Sequence, residues 1–147
     1  MNNENPGAKS SVFLAILSSL LSFGLYYALS TAIISISYFV ISFLVGIPIL
    51  GPIIDWIFSM GGRTPDLFYP VVGPLLAYPL VKFVLQKIHK SQATLNLSRK
   101  LTGVYIFLSV ATSLIALFFG AEPSAPFAYI AQIAAGFVFF FFPQELD

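Results

Sequence analysis

SVFLAILSSLLSFGLYYALSTAIISISYFVISFLV, residues 11–45, is an apolar stretch without a charged residue or a proline. Gly24 is its one helix-breaking residue, and membrane helices tolerate glycine. As a helix it would be about 52 Å long, although about 20 residues suffice to cross a bilayer. Two shorter spans would need a turn, and the middle of the stretch has no Gly, Pro, Asn or Asp. We therefore predict one long, tilted helix, with two spans as the alternative.

The composition of the whole chain supports a membrane location. The 147 residues are 58% hydrophobic and 9% charged, whereas soluble domains carry about 25% charged residues. The mean hydropathy is +0.91, and a chain of this size has too little interior to bury so many apolar side chains. The chain is expected to be one polytopic membrane domain, 1–147, with lipid as its first partner.

Several functional classes find no support in the residues. Cysteine is absent, which removes disulfides and thiolate metal sites, and the single histidine, His89, lies among lysines and is expected on a solvated basic face. No basic stripe interleaved with aromatic residues predicts a nucleic-acid interface. No catalytic or nucleotide-binding motif occurs. We therefore expect no enzyme, no cofactor and no nucleic-acid partner.

Three further spans are expected, at 67–88, 101–119 and 127–142. The first connection, 46–66, is broken by proline and glycine; Pro48 and Pro52 should prevent a regular helix through them, with a short surface helix between Ile53 and Met60. The next connection, 89–100, is the one substantial polar loop. The fold class predicted is an all-α integral membrane protein, a bundle of about four transmembrane helices with a long first helix and a broken outer segment.

The distribution of lysine and arginine predicts the orientation. The 82–100 region is basic, whereas Arg63 stands alone on the opposite side, beside Asp55 and other acids. By the positive-inside rule, loop 89–100 faces the cytoplasm or its equivalent in an organelle, and four spans place both termini there too. We expect a multi-pass protein of a bacterial inner membrane or an organelle membrane. Two spans within 11–45 would instead give five crossings.

Small residues recur at helical spacing in the first and third spans. Such stripes let helix backbones approach closely in lipid. They indicate either packing inside the bundle or a face that binds a partner chain. The residues concerned are Ser11, Ala15, Ser18, Ser22, Ser109, Ser113, Ala116 and Gly120.

Asp55 is the acid of greatest interest. It follows Pro52 near the expected outer boundary, within one of two similar phrases, at 48–56 and 70–78. Interrupted helices with an ionisable residue are typical of ion pathways. The alternative is that Asp55 lies among the headgroups, where it is wetted or paired with Arg63.

Four basic residues are expected to contact anionic lipid, because each cation near a membrane surface contributes roughly 1 kcal/mol. They are Lys87, Lys90, Arg99 and Lys100.

The expected function is a non-catalytic small polytopic subunit that packs against and stabilises a larger membrane complex. The alternative is a small channel or transporter protomer that forms its pathway by oligomerising, with Asp55 near the outer mouth.

Overall fold

The structure is a computed structural model that describes residues 6–59, 65–121, 126–143 and 145, with the backbone alone at 6–10, 55, 57–59, 65–70 and 126–127. Over these residues the chain is all-helical. The helices are α1 (Pro6–Val45), α2 (Leu50–Ser59), α3 (Pro65–Ile88), α4 (Gln92–Phe118) and α5 (Pro126–Phe141).

The first helix confirms the prediction of one continuous element over 11–45. α1 contains 40 residues, and it ends where Gly46 and Pro48 open a turn. Gly46 N–H donates to Phe43 O at 3.2 Å, and Gly51 N–H donates to Ile47 O at 2.8 Å. An apolar stretch with no turn-forming residue therefore continues as helix until the first Gly-x-Pro.

Four of the described helices pack as a bundle. α1 packs on α3 and α4, and α5 packs on α4 and α3; α2 lies against α1. Ser18 lies beside Ser98 and Tyr27 lies beside Ser109, so α1 and α4 run in the same direction. The core lies where the four helices meet: Tyr26, Ala77, Val81, Leu85, Leu95, Ile106, Ala135 and Phe139.

The expected break lies at Pro48, whereas Pro52 is accommodated within a helix. α2 begins at Leu50 and includes Pro52, which is acceptable because N–H groups in a first turn have no partner within the helix. α3 is assigned as one helix through Pro70, Pro74 and Pro79. Each of these prolines removes one backbone donor, and the segment packs along α1.

The polar loop predicted at 89–100 is also wrong, because α4 begins at Gln92. The junction between α3 and α4 consists of His89, Lys90 and Ser91 alone. The segment that follows has no glycine or proline and is rich in good helix formers. Its polarity is accommodated by burying one face of the first turns against α1 and α5, not by forming a loop.

α4 ends in a glycine turn. Gly120 has φ +86°, and Gly120 N–H donates to Leu117 O and Ala121 N–H to Ala116 O, both at 3.1 Å. This pair of bonds is the Schellman arrangement, which needs a left-handed residue just past the helix. α5 then begins at Pro126, in the first helical position that proline favours.

Among the described residues, three helices are long and apolar enough to cross a membrane: 11–45, 71–88 and 92–118. α5 is apolar but has 16 residues, or about 24 Å. For convenience, the end of the bundle at the α3–α4 junction is called the basic end, after Lys87, Lys90 and Lys100.

Candidate functional site

A buried polar cluster lies at the basic end, where α1 meets the α3–α4 junction. Ser18 Oγ is 2.9 Å from His89 Nε2 and 2.8 Å from Ser98 Oγ. Ser18 Oγ also donates to Ala15 O at 3.1 Å. All three cluster side chains are nearly inaccessible, so the cluster joins three segments of the chain inside the bundle.

His89 owes its position to the end of α3. The helix ends at Ile88, but His89 N–H still donates to Leu85 O at 3.2 Å, which keeps the last turn closed. The ring therefore points into the bundle, and 3% of the residue is exposed. The expected solvated position of His89 is wrong. Burial lowers the pKa of the ring below its ordinary 6.5, because low-polarity surroundings disfavour the charged form.

Thr102 continues the cluster one turn further along α4. Its hydroxyl donates to Ser98 O at 2.9 Å and lies 3.5 Å from Ser19 O on α1. Ser19 Oγ in turn donates to Ile16 O at 2.7 Å. Because these hydroxyls bond to backbone carbonyls of their own helices, they satisfy their hydrogen bonds while allowing close contact between α1 and α4.

Arg99, three residues before Thr102 on α4, reaches towards α5 and is 3% exposed. Its Nη1 donates to Phe139 O at 2.6 Å and also to Phe142 O. The last carbonyls of a helix lack intrahelical donors and carry partial negative charge, so a guanidinium there both bonds them and complements the helix dipole. Arg99 therefore caps α5.

A second polar contact lies further from the basic end. The Tyr27 hydroxyl is 3.0 Å from Ser109 Oγ and 3.3 Å from Gln132 Oε1. This contact links α1, α4 and α5. Hydrogen bonds between apolar helices are each worth about 1 kcal/mol or less, but they specify which faces meet.

Two buried hydroxyls lie between these contacts. Ser22 and Tyr26 follow Ser18 at steps of four on α1, and their oxygens have no hydrogen-bond partner among the described residues. Buried polar groups are normally paired. The core-facing side of α1 is thus a line of hydroxyls leading inward from His89.

The geometry of Ser18 and His89 matches the first requirement of an activated serine, a hydroxyl within hydrogen-bond reach of an imidazole. No described side chain bonds His89 Nδ1, so nothing described orients the ring as a catalytic base would be oriented. Both residues are enclosed by packed helices. What the observed contacts do is hold the α3–α4 junction against α1.

Only part of the small-residue stripe predicted on α1 is buried. Ala15, Ser18 and Ser22 are buried within the bundle, whereas Ser11 is exposed. On α4, Ser109, Ser113 and Ala116 are partly buried and Gly120 is exposed at the turn.

The four basic residues expected to contact lipid differ in their exposure. Lys87, Lys90 and Lys100 are exposed, and Lys87 Nζ lies 5.4 Å from the centre of the Phe83 ring. Arg99 is enclosed against α5, so the expected contact of Arg99 with lipid headgroups does not fit this structure. The Asp55 side chain and all of Arg63 lie outside the described residues, as do the contacts expected of them.

Sequence reasoning missed the inward position of His89 and the cap formed by Arg99. It also missed the glycines that permit close helix contact. A Cβ on Gly73 would lie 2.6 Å from Ser30 O, and one on Gly103 would lie 2.9 Å from Gly136 O. The available signal was the recurrence of polar or small residues at steps of three and four within apolar helices.

No group of three His, Cys, Asp or Glu side chains that could hold a metal ion occurs among the described residues. Comparisons of the chain with protein family models, with curated proteins and with solved structures found no match.

Proposed function

We propose that this protein is a non-catalytic multi-pass membrane subunit that packs against a larger membrane protein complex. In this proposal α1, α3, α4 and α5 cross the bilayer with the basic end on the positive-inside side. Three described helices have the length and composition to cross, and exposed apolar side chains cover the outside of the bundle.

The observation that carries the proposal is the extension of α1 beyond α4. Tyr27 on α1 lies level with Ser109 on α4, and the two helices run in the same direction. α4 ends at Phe118, whereas α1 continues to Val45. The last turns of α1 therefore extend beyond α4 by about 13 Å.

From the level of the end of α4 onward, α1 exposes large apolar side chains. Ile36, Phe39 and Phe43 recur at steps of three and four and are 62%, 71% and 66% exposed. Side chains at steps of three or four residues form ridges on a helix surface, and such ridges fit into the grooves of another helix. We propose that this face, defined by Ile36, Phe39 and Phe43, binds the partner chain.

The proposal can be tested by purification in mild detergent from the native membrane. We expect a second chain in a fixed ratio, which is lost from a variant carrying Phe39→Ala and Phe43→Ala. The matched control is Phe13→Ala near the other end of α1, where the side chain is 67% exposed and retention should be unchanged. Loss of the partner from both variants, or from neither, would contradict the assigned face.

The second candidate is a channel or transporter protomer. The line of hydroxyls at Ser18, Ser22 and Tyr26, two of them without a described partner, is the observation that favours it. A defined homo-oligomer in detergent and a flux lowered by Asp55→Asn would support this candidate. Unchanged flux in that variant would remove Asp55 from any pathway.

A further inference from the structure

An apolar cleft of about 180 Å³ lies between α3 and α5. Small side chains create it, because Pro74, Ala131, Ala134 and Ala135 leave space where larger residues would fill the contact. Leu75 and Ala134 are exposed at its edge, so the cleft opens on the outside of the bundle. Engineered apolar cavities of about 150 Å³ bind benzene, so this one can hold a segment of a hydrocarbon chain.

The end of the cleft nearest the basic end is formed by Tyr78, which packs edge-to-face on Phe139 with ring centres 4.9 Å apart. Lys82 follows Tyr78 by four residues and therefore lies on the same side of α3, about 6 Å closer to the basic end. Gln86, a further turn along, donates to Glu145 O at 2.7 Å. Lys82 is thus the cation that directly continues the cleft.

Among the described side chains, those at this end are predominantly basic. Lys82, Lys87, Lys90, Arg99 and Lys100 lie there. Glu145, which is exposed, is the one acidic residue whose side chain the structure describes. Arg99 bonds carbonyl oxygens of α5, not a carboxylate. An apolar cleft that leads to cations with no ion pair among the described side chains is complementary to an amphiphile with a negative head.

We infer that the α3–α5 cleft binds one acyl chain of an anionic phospholipid, with its phosphate at Lys82. The inference rests on the membrane insertion proposed above but not on a partner at the extension of α1. Lys82 is therefore expected to contact the headgroup phosphate. Lys87 is not, because it lies five residues further along the helix and its ammonium group lies over the Phe83 ring.

The experiment is native mass spectrometry of the purified chain after reconstitution with equal amounts of phosphatidylglycerol and phosphatidylcholine. We expect one retained lipid, with phosphatidylglycerol preferred. Lys82→Gln should reduce that preference about fivefold while lipid is still retained, because one cation near a headgroup has about that effect. The matched control Lys87→Gln should leave it unchanged.

Filling the cleft tests the chain-binding part separately. Ala131→Phe should abolish retention of both lipids, whereas Ala111→Phe, at an exposed position of α4, should not. Equal retention of the two lipids by the unaltered chain, or equal effects of the two lysine variants, would overturn the inference. Displacement of the phospholipid by oleate would identify a fatty acid as the occupant of the cleft. If a second copy of the protein is bound and is lost when the cleft is filled, the cleft is instead a contact between helices of two copies. Because the purified chain is used alone, these outcomes do not depend on the proposed partner.

Discussion

His89 illustrates how a single residue acquires its role from packing. In the sequence it stands between Ile88 and Lys90 beside other polar residues, which is typical of a solvated segment. In the structure α3 ends directly before it, and its ring bonds Ser18 across the bundle. One residue more or less in α3 would rotate the ring by about 100° and expose it.

The burial of His89 predicts a pH dependence of stability. Its pKa is lowered in the folded chain, so the unfolded chain binds a proton more readily. The contribution of the neutral His89 ring to stability should therefore be complete above pH 6.5, the ordinary pKa of histidine. This contribution should be lost as the pH falls through the pKa of the folded state. The steepest slope would be about 1.4 kcal/mol per pH unit.

Thermal unfolding in mild detergent between pH 5 and pH 8 would measure this dependence. His89 is the single histidine, so His89→Gln should remove most of the slope in this range. A variant with the same slope as the unaltered protein would contradict a buried, neutral ring.

Arg99 is the second residue whose position has a measurable consequence. Arg99→Met keeps an unbranched apolar stem but removes the guanidinium, and so leaves the carbonyls of Phe139 and Phe142 without this donor. We expect a loss of about 2 kcal/mol in the free energy of unfolding, since hydrogen bonds from charged groups are worth roughly 1.5–3 kcal/mol. The neighbouring exposed residue provides the control: Lys100→Met should change stability by less than about 0.5 kcal/mol. Similar losses in both variants would show that charge alone, not the cap, accounts for the effect.

At the scale of elements, the helix ends are set by different devices. α1 ends where Gly46 and Pro48 permit a turn, α4 ends in the Schellman turn at Gly120, and α5 is capped from outside by Arg99. The first two devices are local in sequence. The third joins residues that are 40 positions apart, so no inspection of α5 alone could find it.

Two glycines should respond to alanine with opposite signs. Gly120 has φ +86°, and Gly120→Ala should destabilise the protein by about 1 kcal/mol, because a Cβ is strained in the left-handed region. Gly24 lies inside α1 with nothing within 4 Å of a Cβ. Gly24→Ala should stabilise by up to about 1 kcal/mol, because alanine is the better helix former. Thermal unfolding of the two variants beside the unaltered chain tests this, and changes of the same sign would be inconsistent with the geometry of the turn.

At the scale of the whole molecule, the proposed topology places the two ends of α4 on opposite sides of the membrane. The chain has no cysteine, so single cysteines can be introduced without background. Lys90→Cys and Phe119→Cys lie at exposed positions before and after α4. In intact cells or right-side-out vesicles, a membrane-impermeant maleimide should label position 119 at once and position 90 only after permeabilisation. Equal labelling of both in intact vesicles would contradict a crossing by α4.

Much of the architecture was predictable because it depends on local patterns. The absence of any turn-forming residue in the middle of 11–45 was enough to predict one helix, and the break after Val45 followed from Gly46 and Pro48. The span expected at 127–142 agrees closely with α5. The start of α4 was mispredicted because polarity was taken as a sign of a loop, whereas 92–100 is a polar helix with one buried face.

The candidate site was predictable only in part. The spacing of Ala15, Ser18 and Ser22 identified a packing face of α1, since every third or fourth residue of a helix points the same way. The partners of that face, His89, Ser98 and Thr102, come from segments about 70 to 85 residues later, and spacing carries no information about them.

Composition and periodicity alone therefore determine that this is an apolar, all-helical chain with one very long first helix, because those properties follow from the solvation and geometry of each segment by itself. The tertiary structure decided that His89 is enclosed, that Arg99 caps α5, and that a cleft lies between α3 and α5, about one helical turn from Lys82. These features depend on the rotation and depth of one helix against another, which are set by how side chains from distant segments fit together.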